Sequence, residues 1–197
     1  MEHVTGDTFH DLHSRKDSGM TNPITLKLCR LFDAVDTDHD GNISWADYRR
    51  LLDRLTTGYK PDTSDRRLQA LHAAYQMYWC ELLRHADSPS SLLLKEEFVA
   101  ANQLASVDTS RFNLVEGIPQ AVFDVADTND DSTLDKEELA RLLKFLEVTS
   151  PDTVDQFMGL DITRDGSITR QDCLRSAREF FYTPDISTPG GIFFGMA

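Results

Sequence analysis

The chain is poor in cysteine, poor in base and without a long apolar run. Among its 197 residues only Cys29, Cys80 and Cys173 carry thiols, an odd number that makes no disulfide framework. Each lies in or beside an apolar helical pattern, so buried reduced thiols are expected. No stretch approaches the roughly 18 apolar residues of a membrane span. The N-terminus shows no apolar core of a secretory signal, so a cytoplasmic protein is expected. Basic residues are outnumbered, 20 Lys+Arg against 33 Asp+Glu, for a formal charge of −13. Such a surface repels phosphate backbones, which argues against nucleic acid and anionic membrane as partners and in favour of cations. What remains is ordinary: 40% hydrophobic and 27% charged residues, enough for one large or two small domains with a real core.

Residues 1–20 are polar, contain His3, His10 and His13, and carry no helical or strand period. They read as a flexible extension, since the histidine spacing fits no zinc site. From Pro23 the pattern turns helical, with Ile24, Leu28, Leu31, Phe32 and Val35 on one face. A polar run at 36–44 follows, then a second apolar face at Trp45, Tyr48, Leu51, Leu52 and Leu55. Further helices are expected near 65–85, 95–106, 114–126, 136–147, 152–160 and 170–181, the seventh capped by Ser150 and Pro151. The fold class is all-α, with eight helices and only very short strands.

A repeat appears when the acidic loops are aligned. Phe32, Phe123 and Phe157 each stand four residues before an aspartate: Asp36, Asp127 and Asp161. Seven residues after each aspartate is an aliphatic side chain, Ile43, Leu134 or Ile168, and eleven after it an acid, Asp47, Glu138 or Asp172. This is the 12-residue loop of an EF-hand calcium site. A hard cation of calcium's size takes six to eight oxygens at about 2.3–2.6 Å, and one short segment must deliver most of them. Positions 1, 3 and 5 turn inward as the chain curls, a glycine at 6 permits positive φ, and the acid at 12 closes the shell from the exiting helix. The candidate ligands are Asp36, Asp38, Asp40, Asn42 and Asp47 in the first loop. They are Asp127, Asn129, Asp131, Thr133 and Glu138 in a second, and Asp161, Thr163, Asp165, Ser167 and Asp172 in a third.

The loops differ in ways that matter. Ser132 stands where the second loop should have glycine, which places left-handed strain on a residue with a side chain. The third loop is poorest in carboxylate. Asp47 and Asp172 are one methylene shorter than the usual closing glutamate, which favours single-oxygen contact and the six-coordinate Mg2+ ion. About three Ca2+ sites are therefore expected, with mixed Ca2+/Mg2+ character at the Asp47 and Asp172 loops.

A fourth unit keeps the frame without the ligands. With Leu93 at position 8 and Glu97 at position 12, positions 1, 3 and 5 become Ala86, Ser88 and Ser90. EF-hands pack in pairs, so a silent hand still supplies the apolar wall its neighbour needs. Ile43 should face Leu93, and Leu134 should face Ile168, in short β bridges. The expected organisation is an extension at 1–20, a pair at 21–106, a pair at 107–183 and a tail at 184–197 packed on the body.

An active first hand, a silent second, active third and fourth hands and the aspartate at Asp47 together resemble the sarcoplasmic calcium-binding proteins and their bacterial relative calerythrin. The long interval from Asp36 to Ala86 and the aromatic C-terminus, Phe180-Phe181-Tyr182 and Pro189 to Gly195, are similar to that family as well. The resemblance covers about residues 23–197. It implies a compact body of four helix-loop-helix units in two facing pairs that buffers Ca2+.

Three functions compete. A monomeric calcium buffer fits the scarcity of methionine, only Met77 and Met158 lying within the folded part, because calcium sensors expose methionine-rich grooves. A calcium sensor with an unknown protein partner would need Tyr75, Tyr78, Trp79, Phe193 and Phe194 to form a regulated surface, although an aromatic core is the simpler reading. Photoproteins resemble the layout of hands, but they need a histidine near the C-terminal end, and this chain has none after His85. No nucleophile–base pair is evident, Cys80 and His85 being out of register for contact on a helix. The chain reads as a non-enzyme.

Overall fold

The computed structural model describes residues 22–59, 65–88, 90–108, 113–148, 153–161 and 164–196. The extension at 1–20 and the Ser150–Pro151 cap lie outside them. Helix α1 (Pro23–Val35) starts where the sequence provides both signals: Asn22 accepts the Ile24 N–H at 3.0 Å and Pro23 fills the first turn. Its buried stripe is Leu28, Leu31, Phe32 and Val35. After the first loop come β1 (Asn42–Ser44) and α2 (Trp45–Tyr59), which buries Tyr48, Leu51, Leu52 and Leu55. Then follow α3 (Arg66–Ala86), β2 (Leu92–Leu94) and α4 (Lys95–Val107). The second half comprises α5 (Leu114–Ala126), β3 (Thr133–Leu134), α6 (Lys136–Phe145), α7 (Thr153–Met158), β4 (Ile168–Thr169) and α8 (Arg170–Tyr182). A 3-10 helix at Pro189–Phe194 ends the described chain.

The eight helices fall where periodicity puts them, with α6 and α7 each stopping two residues before the expected end. The bridges have the expected register: β1 and β2 are antiparallel with Ile43 opposite Leu93, and β3 and β4 are antiparallel with Leu134 opposite Ile168. All four aliphatics are buried. The second hand thus contributes a strand and a helix pair to the paired unit. Its Ser88 and Ser90 hydroxyls lie 3.1 Å apart, and the Ser90 hydroxyl donates to the Leu92 carbonyl at 3.1 Å.

Helix α3 is the organising element, packing on α4 within its own pair and on α5 across to the other, while α5 packs on α8 and α1 on α4. Tyr75, Tyr78 and Trp79 of α3 are buried against Tyr48 of α2. The 3-10 helix closes this interior. Phe194 packs on Tyr78 and Phe181, and the Tyr75 hydroxyl donates to the Phe193 carbonyl at 2.6 Å. Gly190 permits the approach: a Cβ there would stand 2.1 Å from the Ser176 carbonyl oxygen of α8. Lys27 of α1 is buried and donates to the carbonyls of Glu179 (3.1 Å) and Thr183 (2.7 Å), satisfying the C-terminal end of α8.

One expectation about the cysteines needs correction. Cys173 is buried and Cys29 half-buried, but Cys80 is exposed. The buried stripe of α3 runs through Leu71, Tyr75, Tyr78, Trp79 and Leu82, and Cys80 falls outside it.

Candidate metal centres

The Asp36 and Asp127 loops begin as α1 and α5 end. The Asp36 N–H still donates to the Phe32 carbonyl, and the Asp127 N–H to that of Phe123, both at 2.9 Å. The position-1 side chain therefore leaves the last helical turn pointing into the loop. Its carboxylate collects loop amides, always including the one at position 6. Asp36 accepts from Asp40 (3.2 Å) and Gly41 (3.0 Å), and Asp127 from Asp131 (3.2 Å) and Ser132 (3.0 Å). Asp161 accepts from Arg164 (2.7 Å) and Gly166 (2.8 Å). The turn that makes this possible has positive φ at position 6: +80° at Gly41, +88° at Gly166, and +68° at Ser132, where strain was expected.

The middle ligands are tied to their neighbours. Asp40 accepts from the Asn42 N–H at 2.8 Å, and Asp165 from the N–H and hydroxyl of Ser167 at 3.0 and 2.7 Å. Asp131 accepts from the Thr133 N–H (2.9 Å) and hydroxyl (2.8 Å) and from the Asn129 amide (2.9 Å). The Thr133 bonds outweigh desolvation, and the Asn129 amide adds to them, so that Asp131 is held below the usual carboxylate range.

The closing acid sits in the first turn of the next helix and faces back. Asp47 Oδ2 accepts from the Ser44 N–H (2.8 Å) and hydroxyl (2.9 Å). Asp172 Oδ2 accepts from the Thr169 N–H (2.9 Å) and hydroxyl (2.6 Å). Glu138 Oε1 reaches further, to the Thr128 N–H (2.8 Å) and hydroxyl (2.7 Å). Burial would raise the pKa of Asp172, but the bonds from Thr169, followed by that from Arg175, overcome it and hold it low.

Asp36, Asp47, Asp127, Glu138 and Asp172 are all buried, an unusual concentration of carboxylate in a protein interior. In the first loop Asp36, Asp38 and Asp40 can each present an oxygen within 4.8 Å of the others. Donors of this kind are hard oxygens only, which suits Ca2+ or Mg2+ and disfavours softer metals. Thr163 lies outside the described residues. The other fourteen candidate ligands lie among the described residues.

A match to the EF-hand family model covers residues 30–52 and 120–143, which contain the loops Asp36–Asp47 and Asp127–Glu138. The chain is 23% identical to calerythrin of Saccharopolyspora erythraea over 160 residues, 79% of this chain and 90% of calerythrin. It is an EF-hand calcium-binding protein resembling calerythrin. Solved structures share the fold of this calerythrin-like chain. A Streptomyces coelicolor calcium-binding protein described in calcium-mediated regulation superposes with a TM-score of 0.66 at 22% identity, over 82% of this chain and 99% of that one. Mg2+-loaded apo-berovin, a light-sensitive photoprotein from a ctenophore, gives 0.63 at 22% identity over 79% and 86%.

One recurring residue escaped the sequence reading. An arginine stands three residues after each closing acid, Arg50, Arg141 and Arg175, where the silent hand has Ala100. Arg50 Nη2 pairs with Asp47 Oδ1 and, at 3.0 Å, with Asp38 Oδ2. Arg175 Nη2 pairs with Asp172 Oδ1 at 2.6 Å. Arg141 donates instead to the Thr128 hydroxyl at 3.3 Å. The signal was available: extending the alignment of the loops by three positions finds it.

Proposed function

We propose that the protein is an intracellular, monomeric Ca2+ buffer working through hands 1, 3 and 4. Three loops sharing one hydrogen-bonding scheme, the position-1 carboxylate gathering the position-6 amide, are the observation that carries this reading. Asp36, Asp38, Asp40, Asn42 and Asp47 would hold the ion in the first loop. Asp127, Asn129, Asp131, Thr133 and Glu138 would do so in the third hand, and Asp161, Thr163, Asp165, Ser167 and Asp172 in the fourth. A bound divalent ion supplies charge neutralisation to carboxylates that otherwise repel one another. The protein's part is to turn each loop before binding, so that little ordering is left to do. Buffering is favoured over signalling by the aromatic interior, which the tyrosines of α3 and the 3-10 helix already fill.

Aspartate at the closing position of hands 1 and 4 supports mixed Ca2+/Mg2+ character there, and berovin, with three loops described as binding magnesium, is a structural precedent. Calorimetric titration with Ca2+, with and without millimolar Mg2+, tests both points. Three equivalents are expected, two of them weakened by Mg2+; fewer than two equivalents at saturation would overturn the reading.

A sensor is the second reading, and one feature favours it. Leu92 and Leu94 on β2 and Leu104 on α4 are exposed on the silent hand, and the Streptomyces relative is described in regulation. A dye for apolar surface separates the two: a sharp rise in binding on Ca2+ loading marks a sensor, a flat response a buffer.

A further inference from the structure

We infer that Arg50 and Arg175 are internal competitors of the metal, latches that occupy the closing aspartate of hands 1 and 4 and thereby set those two sites weaker than hand 3. The inference rests on the metal-binding reading above and concerns residues outside the ligand set. In both aspartate-closed loops one carboxylate oxygen is committed to the backbone: Asp47 Oδ2 to Ser44, and Asp172 Oδ2 to Thr169. Oδ1 is the other oxygen, and in each case a guanidinium nitrogen sits on it.

Arg50 goes further, because the same nitrogen also touches Asp38. It bridges positions 3 and 12, one carboxylate from the start of the loop and the one that closes it. Arg175 has a second anchor in the Leu160 carbonyl at 2.8 Å, one residue before the loop begins. In the glutamate-closed loop the longer side chain reaches Thr128 across the loop, and Arg141 at the same register donates to that threonine's hydroxyl. The latch therefore tracks the length of the closing acid. Asp47 and Asp172 are both buried, so an uncompensated charge there is costly and the arginine stabilises the metal-free protein. Whatever stabilises the metal-free form alone is subtracted from binding.

The test is a Ca2+ titration followed by amide NMR, in which Gly41, Ser132 and Gly166, whose N–H groups bond the position-1 carboxylates, report hands 1, 3 and 4 separately. Arg50→Gln is expected to tighten hand 1 by about fivefold, and Arg175→Gln hand 4 similarly, in keeping with one partly exposed ion pair. Arg141→Gln removes the same charge at the same register of hand 3 and is expected to change it less than twofold. In melting experiments Arg50→Gln should lower the midpoint of the chelated protein and leave that of the loaded protein unchanged. Equal tightening by Arg50→Gln and Arg141→Gln would reduce the effect to overall charge and overturn the latch, as would weaker binding at hand 1. Wild-type protein that fails to shift the Gly41 and Gly166 amides with Ca2+ would overturn the metal reading itself, and the latch with it.

Discussion

Single residues set the quality of each loop. Ser132 shows how: at φ +68° it holds a conformation that costs an L side chain about 1 kcal/mol and glycine nothing. Because the loop is turned before the ion binds, Ser132→Gly is expected to raise the melting temperature of chelated and loaded protein alike, with less than twofold change in the Ca2+ dissociation constant of the third hand by calorimetry. Asp36 and Asp161 accept the same position-6 amide from glycines, so hands 1 and 4 have no equivalent gain to make. The candidate ligand positions come from spacing because coordination geometry dictates spacing. The pairing of Arg50 with Asp38 and Asp47 does not, since three positions past the loop a side chain could turn towards solvent or back, and only packing decides.

Between elements, the 3-10 helix and α8 approach closely at Gly190. The backbone at Gly190 lies so near the Ser176 carbonyl that any side chain must push the helix away. Gly190→Ala is expected to cost about 2 kcal/mol by overpacking, seen as a lower melting temperature in both chelated and loaded protein. A drop confined to the loaded form would point instead to coupling between this contact and the metal loops. Periodicity placed all eight helices, and the β bridges followed from position 8 alone. The 3-10 helix had no such signature: Pro189-Gly-Gly-Ile-Phe-Phe has neither a helical nor a strand period, and its structure exists because Phe193 and Phe194 have an aromatic interior to enter.

For the whole molecule the governing quantity is charge. At −13, with five closing or opening carboxylates buried, the metal-free protein carries repulsion that bound ions relieve. An ion at about 100 times its dissociation constant contributes roughly 2.7 kcal/mol per site, so chelation should lower the melting temperature markedly, and restoring Ca2+ should recover it. A melting curve indifferent to chelator would contradict the account. The acid side has a definite sign. Asp131 and Asp172 have folded-state pKa values below the ordinary carboxylate value, the first through Thr133 and the second through Thr169 and Arg175. Their stabilising contribution is complete above about pH 4 and is lost only as pH falls through the lowered values. Metal-free protein in chelator should therefore keep its helical circular dichroism at pH 5 and lose it well below pH 4. Loss already at pH 5 would show that these hydrogen bonds do not stabilise the fold.

The sequence by itself determined the number of hands, their register, the all-α class and every candidate ligand, because each is a matter of local spacing: 3.6 residues per helical turn, and oxygens at intervals a 12-residue loop can deliver. Tertiary structure decided what lies at a distance along the chain. It put α3 at the centre, sent the lysine of α1 to the end of α8, folded the C-terminal aromatics into the core and left Cys80 at the surface. It also turned two of three equivalent arginines onto the closing aspartates. Those outcomes depend on which surfaces meet, and no local period encodes that.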